Sequence, residues 1–138
     1  MGCDIHLHVE VQIAGRWEHY SELDVERCYL LFGIMAGVRG DERPVAPLRG
    51  LPSDLNPVTA AAYASWRNDA HSMSYLLAGE IGEVCQRCRQ EVSKLGWSPR
   101  DAFPGFECCG RGQSAINCIQ GRLEGDVQDV RFVFWFDN

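Results

Sequence analysis

Asp4-Ile5-His6-Leu7-His8-Val9-Glu10-Val11 alternates apolar and polar side chains without a break. A period of two belongs to a β-strand, whose successive side chains point to opposite faces of a sheet. Ile5, Leu7, Val9 and Val11 therefore predict a buried face, and Asp4, His6, His8 and Glu10 a polar one. Working outward, Ala14-Gly15 reads as a turn and Trp17 to Tyr20 as a short returning strand. The far end of the chain answers this hairpin. Val130 to Phe136 reads as a second long strand, with Phe132, Phe134 and Phe136 on one face and Arg131, Val133, Trp135 and Asp137 on the other.

Between the strands the period changes to that of helices. A first helix is predicted from near Ser21 or Asp24, either of which can cap it, through Leu31, Phe32 and Met35 to Gly37. Residues 38–56 form a long loop, broken by Pro44, Pro47 and Pro52 and carrying Arg39, Arg43 and Arg49. A loop of that length inside a compact domain is uncommon and often functional. Asn56-Pro57 opens a second helix that runs to about Trp66, with Asn as cap and Pro at the first position. Arg67 to Ser72 reads as a polar connection, and Ser72 or Ser74 as the cap of a third helix. That helix is marked by Leu77, Ile81, Val84, Cys85, Cys88, Val92 and Leu95 at helical spacing and stopped by Gly96. Residues 98–126 are rich in Gly and Cys, with one short strand predicted near Ala115 to Ile119. The whole chain, 1–138, reads as a single α+β domain: a small antiparallel sheet, made of the N-terminal hairpin and the C-terminal strand, with about three helices packed on one face.

Composition narrows the function classes. The formal net charge of −6 opposes binding of bare nucleic acid by phosphate neutralisation. The same charge suits a partner with a basic surface. No apolar run approaches the roughly 20 residues of a membrane span, and no signal-peptide pattern is visible, so the expected location is the cytoplasm. Seven cysteines in such a chain point to buried thiols or a metal site more than to a disulfide framework.

The strongest chemical constellation is the polar strand face. Residues two apart on a strand are separated by about 6.6 Å, and two imidazoles can lean onto one ion at about 2.0–2.1 Å per bond. His6 and His8 are thus the expected primary ligands, with Asp4 as a partner and Glu10 serving a second ion or orienting a histidine. Histidine and carboxylate donors suit Zn, Mn, Fe or Ni more than Ca or Mg, and Zn or Mn is the expected cofactor. His19 joins this face if the hairpin loop has two residues, opposite Glu10, and leaves it if the loop is longer. His71, beside Asp69, is a further candidate ligand or general base. Cys85-x-x-Cys88 with Cys108-Cys109 is an alternative structural zinc set, weighed against the reading of Cys85 and Cys88 as core residues on an apolar helix stripe.

Five segments together resemble a family of small uncharacterised bacteriophage and prophage proteins. They are Met1-Gly-Cys-Asp-Ile-His6, Tyr29-Leu-Leu-Phe-Gly-Ile-Met-Ala-Gly-Val-Arg39, Arg49-Gly-Leu-Pro52, His71-Ser-Met-Ser-Tyr75 and Arg131-Phe-Val-Phe-Trp-Phe-Asp-Asn138. The family carries a second histidine in the His-Ser-x-Ser segment where this chain has Met73, a departure that removes one possible ligand. The resemblance implies a phage setting inside a bacterial host cell and brings no established activity.

Two functions follow as expectations. One is a metal-dependent hydrolase of a nucleotide or phosphoester: His6, His8, Asp4 and His71 hold the ion, Asp69 or Glu10 takes a proton from its bound water, and Arg39, Arg43 or Arg49 hold the substrate. The other is a non-enzymatic anti-defence inhibitor of the anti-CRISPR kind, binding a host defence complex at its basic nucleic-acid groove through an acidic surface. The discriminating observation is whether the donor atoms of Asp4, His6, His8 and His71 converge; divergence removes the ground for the enzyme.

Overall fold

A computed structural model describes residues 2–96 and 126–138. Its elements are β1 (Asp4–Ile13), β2 (Arg16–Leu23), α1 (Tyr29–Ala36), α2 (Pro57–Trp66), β3 (His71–Leu77), α3 (Ala78–Leu95) and β4 (Val127–Asp137). The four strands form one antiparallel sheet in the order β2-β1-β4-β3. The class is α+β, as the alternation of periods predicts.

The two strands that alternate most cleanly take the centre. β1 pairs with β4 along its whole length, from Asp4 opposite Asp137 to Ile13 opposite Val127. Ile5, Leu7, Val9 and Val11 share a face with Val130, Phe132, Phe134 and Phe136. That face meets Leu31, Phe32, Ile34 and Met35 of α1 and Ile81, Val84, Cys85, Cys88 and Val92 of α3 in one buried cluster. The hydrophobic effect, at roughly 25 cal/mol per Å² of apolar surface removed from water, holds this side together.

The hairpin closes through the two-residue turn Ala14-Gly15, both at positive φ (51° and 76°). This is the left-handed pattern whose twist matches the flanking strands. Beyond it, Val9 pairs with Ser21 but Glu10 pairs with His19, so Tyr20 is an extra residue in a β-bulge. The bulge has a consequence for chemistry. His19 and Glu22 are three residues apart and would face opposite sides of a regular strand; with the bulge they lie opposite Glu10 and His8, on one face.

Three features depart from the expected arrangement. First, among the described residues only α1 and α3 of the three helices pack on the apolar face. α2 covers the polar face: Thr59 bonds Glu10, Tyr63 sets its ring edgewise on Trp135, and Trp66 lies on His6. The segment Pro57–Trp66 is built largely of small residues and has no apolar stripe, so its own pattern did not say which layer it joins. Second, β2 continues to Leu23, and α1 begins only after Cys28. Ladder bonds to β1 outweigh the side-chain caps that Ser21 and Asp24 offer. Third, His71–Leu77 is a strand rather than the end of a connection and the first turn of a helix, because the free edge of β4 pairs it, and α3 begins only at Ala78. Ser72 and Ser74 consequently do not cap α3. Ser74 Oγ instead accepts from Arg49 N at 3.0 Å, and the Glu80 carboxylate accepts from Leu77 N at 3.0 Å at the start of the helix.

The predicted cap of α2 forms as expected, with Asn56 Oδ1 accepting from Val58 N at 2.9 Å. Gly37 (φ 69°) and Gly96 (φ 75°) end α1 and α3 in left-handed geometry. The strand expected near Ala115 to Ile119 lies outside the described residues. Among the described residues no helix is long and apolar enough to cross a membrane.

Candidate functional site

The polar face of β1 is the place where titratable groups gather, and its ladder with β2 and β4 decides who meets whom. At one end Asp4 receives a fork of two 2.9 Å bonds from Arg27 Nε and Nη2. The guanidinium holds the Asp4 carboxyl below its ordinary pKa. Next along, His6 Nε2 donates to Asp137 Oδ2 at 3.1 Å, an arrangement that requires a proton on Nε2. The His6 ring is clamped by Trp66, centroids 4.1 Å apart, with Trp135 at 5.9 Å. Beyond Leu23 the chain diverges from β1, opening a cleft of about 570 Å³ with Asp4 and His6 on one wall and Glu22, Asp24, Glu26 and Arg27 on the other.

His8 is buried and meets a different partner. Its Nδ1 lies 3.0 Å from His19 Nε2, so one ring donates to the other. The His8 ring stacks on Trp135 at 5.3 Å, with the planes only 14° apart. Burial pushes the His8 pKa below the ordinary histidine value; Glu22 and Glu10 oppose the shift and His19 and His6 add to it.

Glu10 is fully buried. Its Oε1 accepts from Arg131 Nε (2.9 Å) and Nη2 (2.6 Å), and its Oε2 from Thr59 Oγ1 (2.6 Å) and Asn56 N (3.2 Å). Arg131 in turn donates to Asp54 Oδ1 at 2.7 Å and lies 4.1 Å over the Trp17 ring. Both oxygens of Glu10 are thus engaged and sealed beneath α2. The geometry gives it a structural role in place of the proton-accepting role expected.

The four expected metal ligands do not come together. Asp4 is engaged by Arg27, His6 by Asp137 and His8 by His19. His71 is paired with Phe136, on the apolar face of the sheet, whereas His6 is paired with Trp135 on the polar one. The His71 nitrogens are also occupied: Nδ1 accepts from Ser72 Oγ at 3.0 Å and Nε2 donates to Asn138 Oδ1 at 3.2 Å. Asp69 sits exposed in the turn after α2, and its carboxylate is not on His71. Among the described residues no three or more His, Cys, Asp or Glu side chains stand close enough together, as placed, to hold a metal ion.

The remaining candidates scatter. Arg39 reaches Asn138 Oδ1 at 3.4 Å, Arg49 is paired with Glu80, and Arg43 lines a separate cleft of about 510 Å³ with Glu83 and Arg87. Each of the three arginines thus has its own set of neighbours. Cys85 and Cys88 are buried, and burial pushes each thiol up to about 12, the state of an inert packing thiol. Their expected zinc partners Cys108 and Cys109 lie outside the described residues. Sequence reasoning missed Asp137 as the partner of His6 and Arg131 with Asp54 as the partners of Glu10. Arg131 on the polar face of β4 was the available signal, but the register that aligns it with Glu10 was not. Neither a known protein family, nor a curated protein, nor a solved structure matches this chain.

Proposed function

We propose that the chain is a non-enzymatic binding protein of phage type, an anti-defence inhibitor that docks its acidic sheet edge on the basic nucleic-acid groove of a host defence complex. The observation that carries this reading is the distribution of charge along β2 and the segment after it. Glu18, Glu22, Asp24 and Glu26 are all exposed there, on or just beyond an edge strand. Meanwhile Arg27, Arg49 and Arg131 are turned onto the protein's own acids Asp4, Glu80, Glu10 and Asp54. Four exposed acids, against the exposed Arg16 at the start of the strand and an Arg27 engaged by Asp4, thus give this edge an acidic character in keeping with the overall net charge of −6. An edge strand also offers unpaired N–H and C=O groups for a partner chain. Support for the hydrolase reading is weaker, because the donors meant to share one ion each face a different partner.

The test uses purified nucleic-acid-binding defence complexes, CRISPR effectors among them, with labelled nucleic acid as competitor. The expected result is displacement of nucleic acid by the wild-type chain, weakening as salt shortens the roughly 10 Å screening length. Reversing Glu18, Glu22, Asp24 and Glu26 to Lys slows association by about tenfold or more. Failure of the wild-type chain to compete on any complex in the panel rejects the reading.

A further inference from the structure

The two-residue turn puts His19 on the polar face of the sheet beside His8, and the bulge at Tyr20 puts Glu22 there as well. His8 Nδ1 and His19 Nε2 face each other at 3.0 Å across the β1–β2 ladder. Two imidazole nitrogens bound to one ion at about 2.0–2.1 Å are separated by about 2.9 Å at a right angle and about 3.4 Å at the tetrahedral angle. The observed spacing is therefore already close to the right-angled bite of a tetragonal ion, the geometry preferred by nickel(II) and copper(II) with nitrogen and oxygen donors. Glu22 stands directly opposite His8 in the register, on the same face and exposed, so its carboxylate would reach the pair only by a change of side-chain rotamer. His6 is held away by Asp137, and Glu10 is sealed by Arg131, Thr59 and Asn56, so neither competes for this position.

We propose that His8 and His19 form a two-imidazole site for a late first-row divalent ion, nickel(II) or copper(II), with the Glu22 carboxylate as third donor and water completing the shell. The exchange is proton-neutral. The ring that donates in the metal-free pair transfers its proton to its other nitrogen, and both facing nitrogens then offer lone pairs to the ion. Trp135, stacked on the His8 ring, keeps that ring from rotating out of the site. The edge position of β2 lets the ion enter from the His19 side. This site is separate from the docking reading, and either can fail without the other.

The experiment is a titration of the full, thiol-reduced chain with nickel(II) alone, followed by imidazole NMR. With only four histidines in the chain, each ring is individually visible. The expected result is paramagnetic broadening of His8 and His19 at substoichiometric metal, before His6 and His71. Calorimetry is expected to show at least about tenfold weaker binding in His19→Ala, a smaller loss in Glu22→Gln, and none in His71→Ala. Metal held by thiols is common to all variants and does not mimic this pattern. Broadening that begins at His6 or His71, equal broadening of all four rings, or calorimetric binding unchanged by His19→Ala overturns the site. Because the broadening is read on the wild-type chain, misfolding of a variant does not blur the outcome.

Discussion

The two ends of β1 carry the same kind of side chain, an acid spaced two residues from a histidine, and meet opposite fates. At the Glu10 end, the start of α2 closes over the strand and the carboxylate becomes fully buried in a network with Arg131, Thr59 and Asn56. At the Asp4 end, β2 has already left the ladder and the carboxylate stands half-exposed beside Arg27. Chemistry alone did not decide which acid is structural and which is superficial; the cover did. A buried ion pair costs much to break because the survivor is left charged and unsolvated, while an exposed pair is screened by water and contributes little.

The comparison can be broken or sharpened by experiment. The largest effect belongs to Glu10→Ala, which strands Arg131 and is expected to lower stability by about 3–5 kcal/mol in urea denaturation; a cost no larger than an ordinary surface change would mean the network is not sealed. Next comes His8, between the two ends. Its neutral form is favoured by burial, so in metal-free protein the unfolded chain takes up the proton first. Stability is then full above the ordinary histidine value of about 6.5 and falls as pH drops through the lower pKa of folded His8. His8→Gln should flatten that slope between pH 7 and 5, whatever it does to absolute stability, and an unchanged slope would assign the effect to other groups. Asn56→Ala removes the α2 cap and an Asn56 Nδ2 bond to Trp17 O, and should cost about 1 kcal/mol by the same denaturation assay. The smallest effect is Asp4→Asn, whose denaturation midpoint should be indistinguishable from wild type; a clear drop would show that the exposed end is bound into the fold as firmly as the buried one.

How much of this was legible in the sequence depended on where each element finds its partner. β1, β4, the Asn56-Pro57 start of α2 and the apolar stripe of α3 carry their signals within themselves, in alternation, capping chemistry and helical spacing. β3 does not. His71–Leu77 becomes a strand because Phe132–Phe136, far away in the chain, offers it an edge. The bulge at Tyr20 is equally silent, since nothing in Arg16–Leu23 announces an extra residue. The polar face followed the same rule: alternation identified its histidines and acids, and the partners that determine their behaviour came from register. His19 illustrates this well. Its face depended on the loop length, which Ala14-Gly15 settles, and the arrival of Glu22 on that same face depended on the bulge. The exposed acids of β2 have a further use beyond any partner, since charges along an edge discourage pairing with another copy of the same strand.

The central position of β4 also sets a timetable. The ladder between β1 and β4 spans nearly the whole chain, and the side chains of His6 and Asp137 that meet across it are 131 positions apart in sequence. On a ribosome adding about 5–20 residues per second, the N-terminal hairpin emerges seconds before the strand that will flank it. Until then Ile5, Leu7, Val9 and Val11 have no Phe132, Phe134 or Phe136 to lie beside, and the inner edge of β1 stands open. Contacts this distant in sequence make for slow folding. The newborn chain therefore passes through an interval in which its most apolar strand is available to chaperones, or to its own neighbours on the same message.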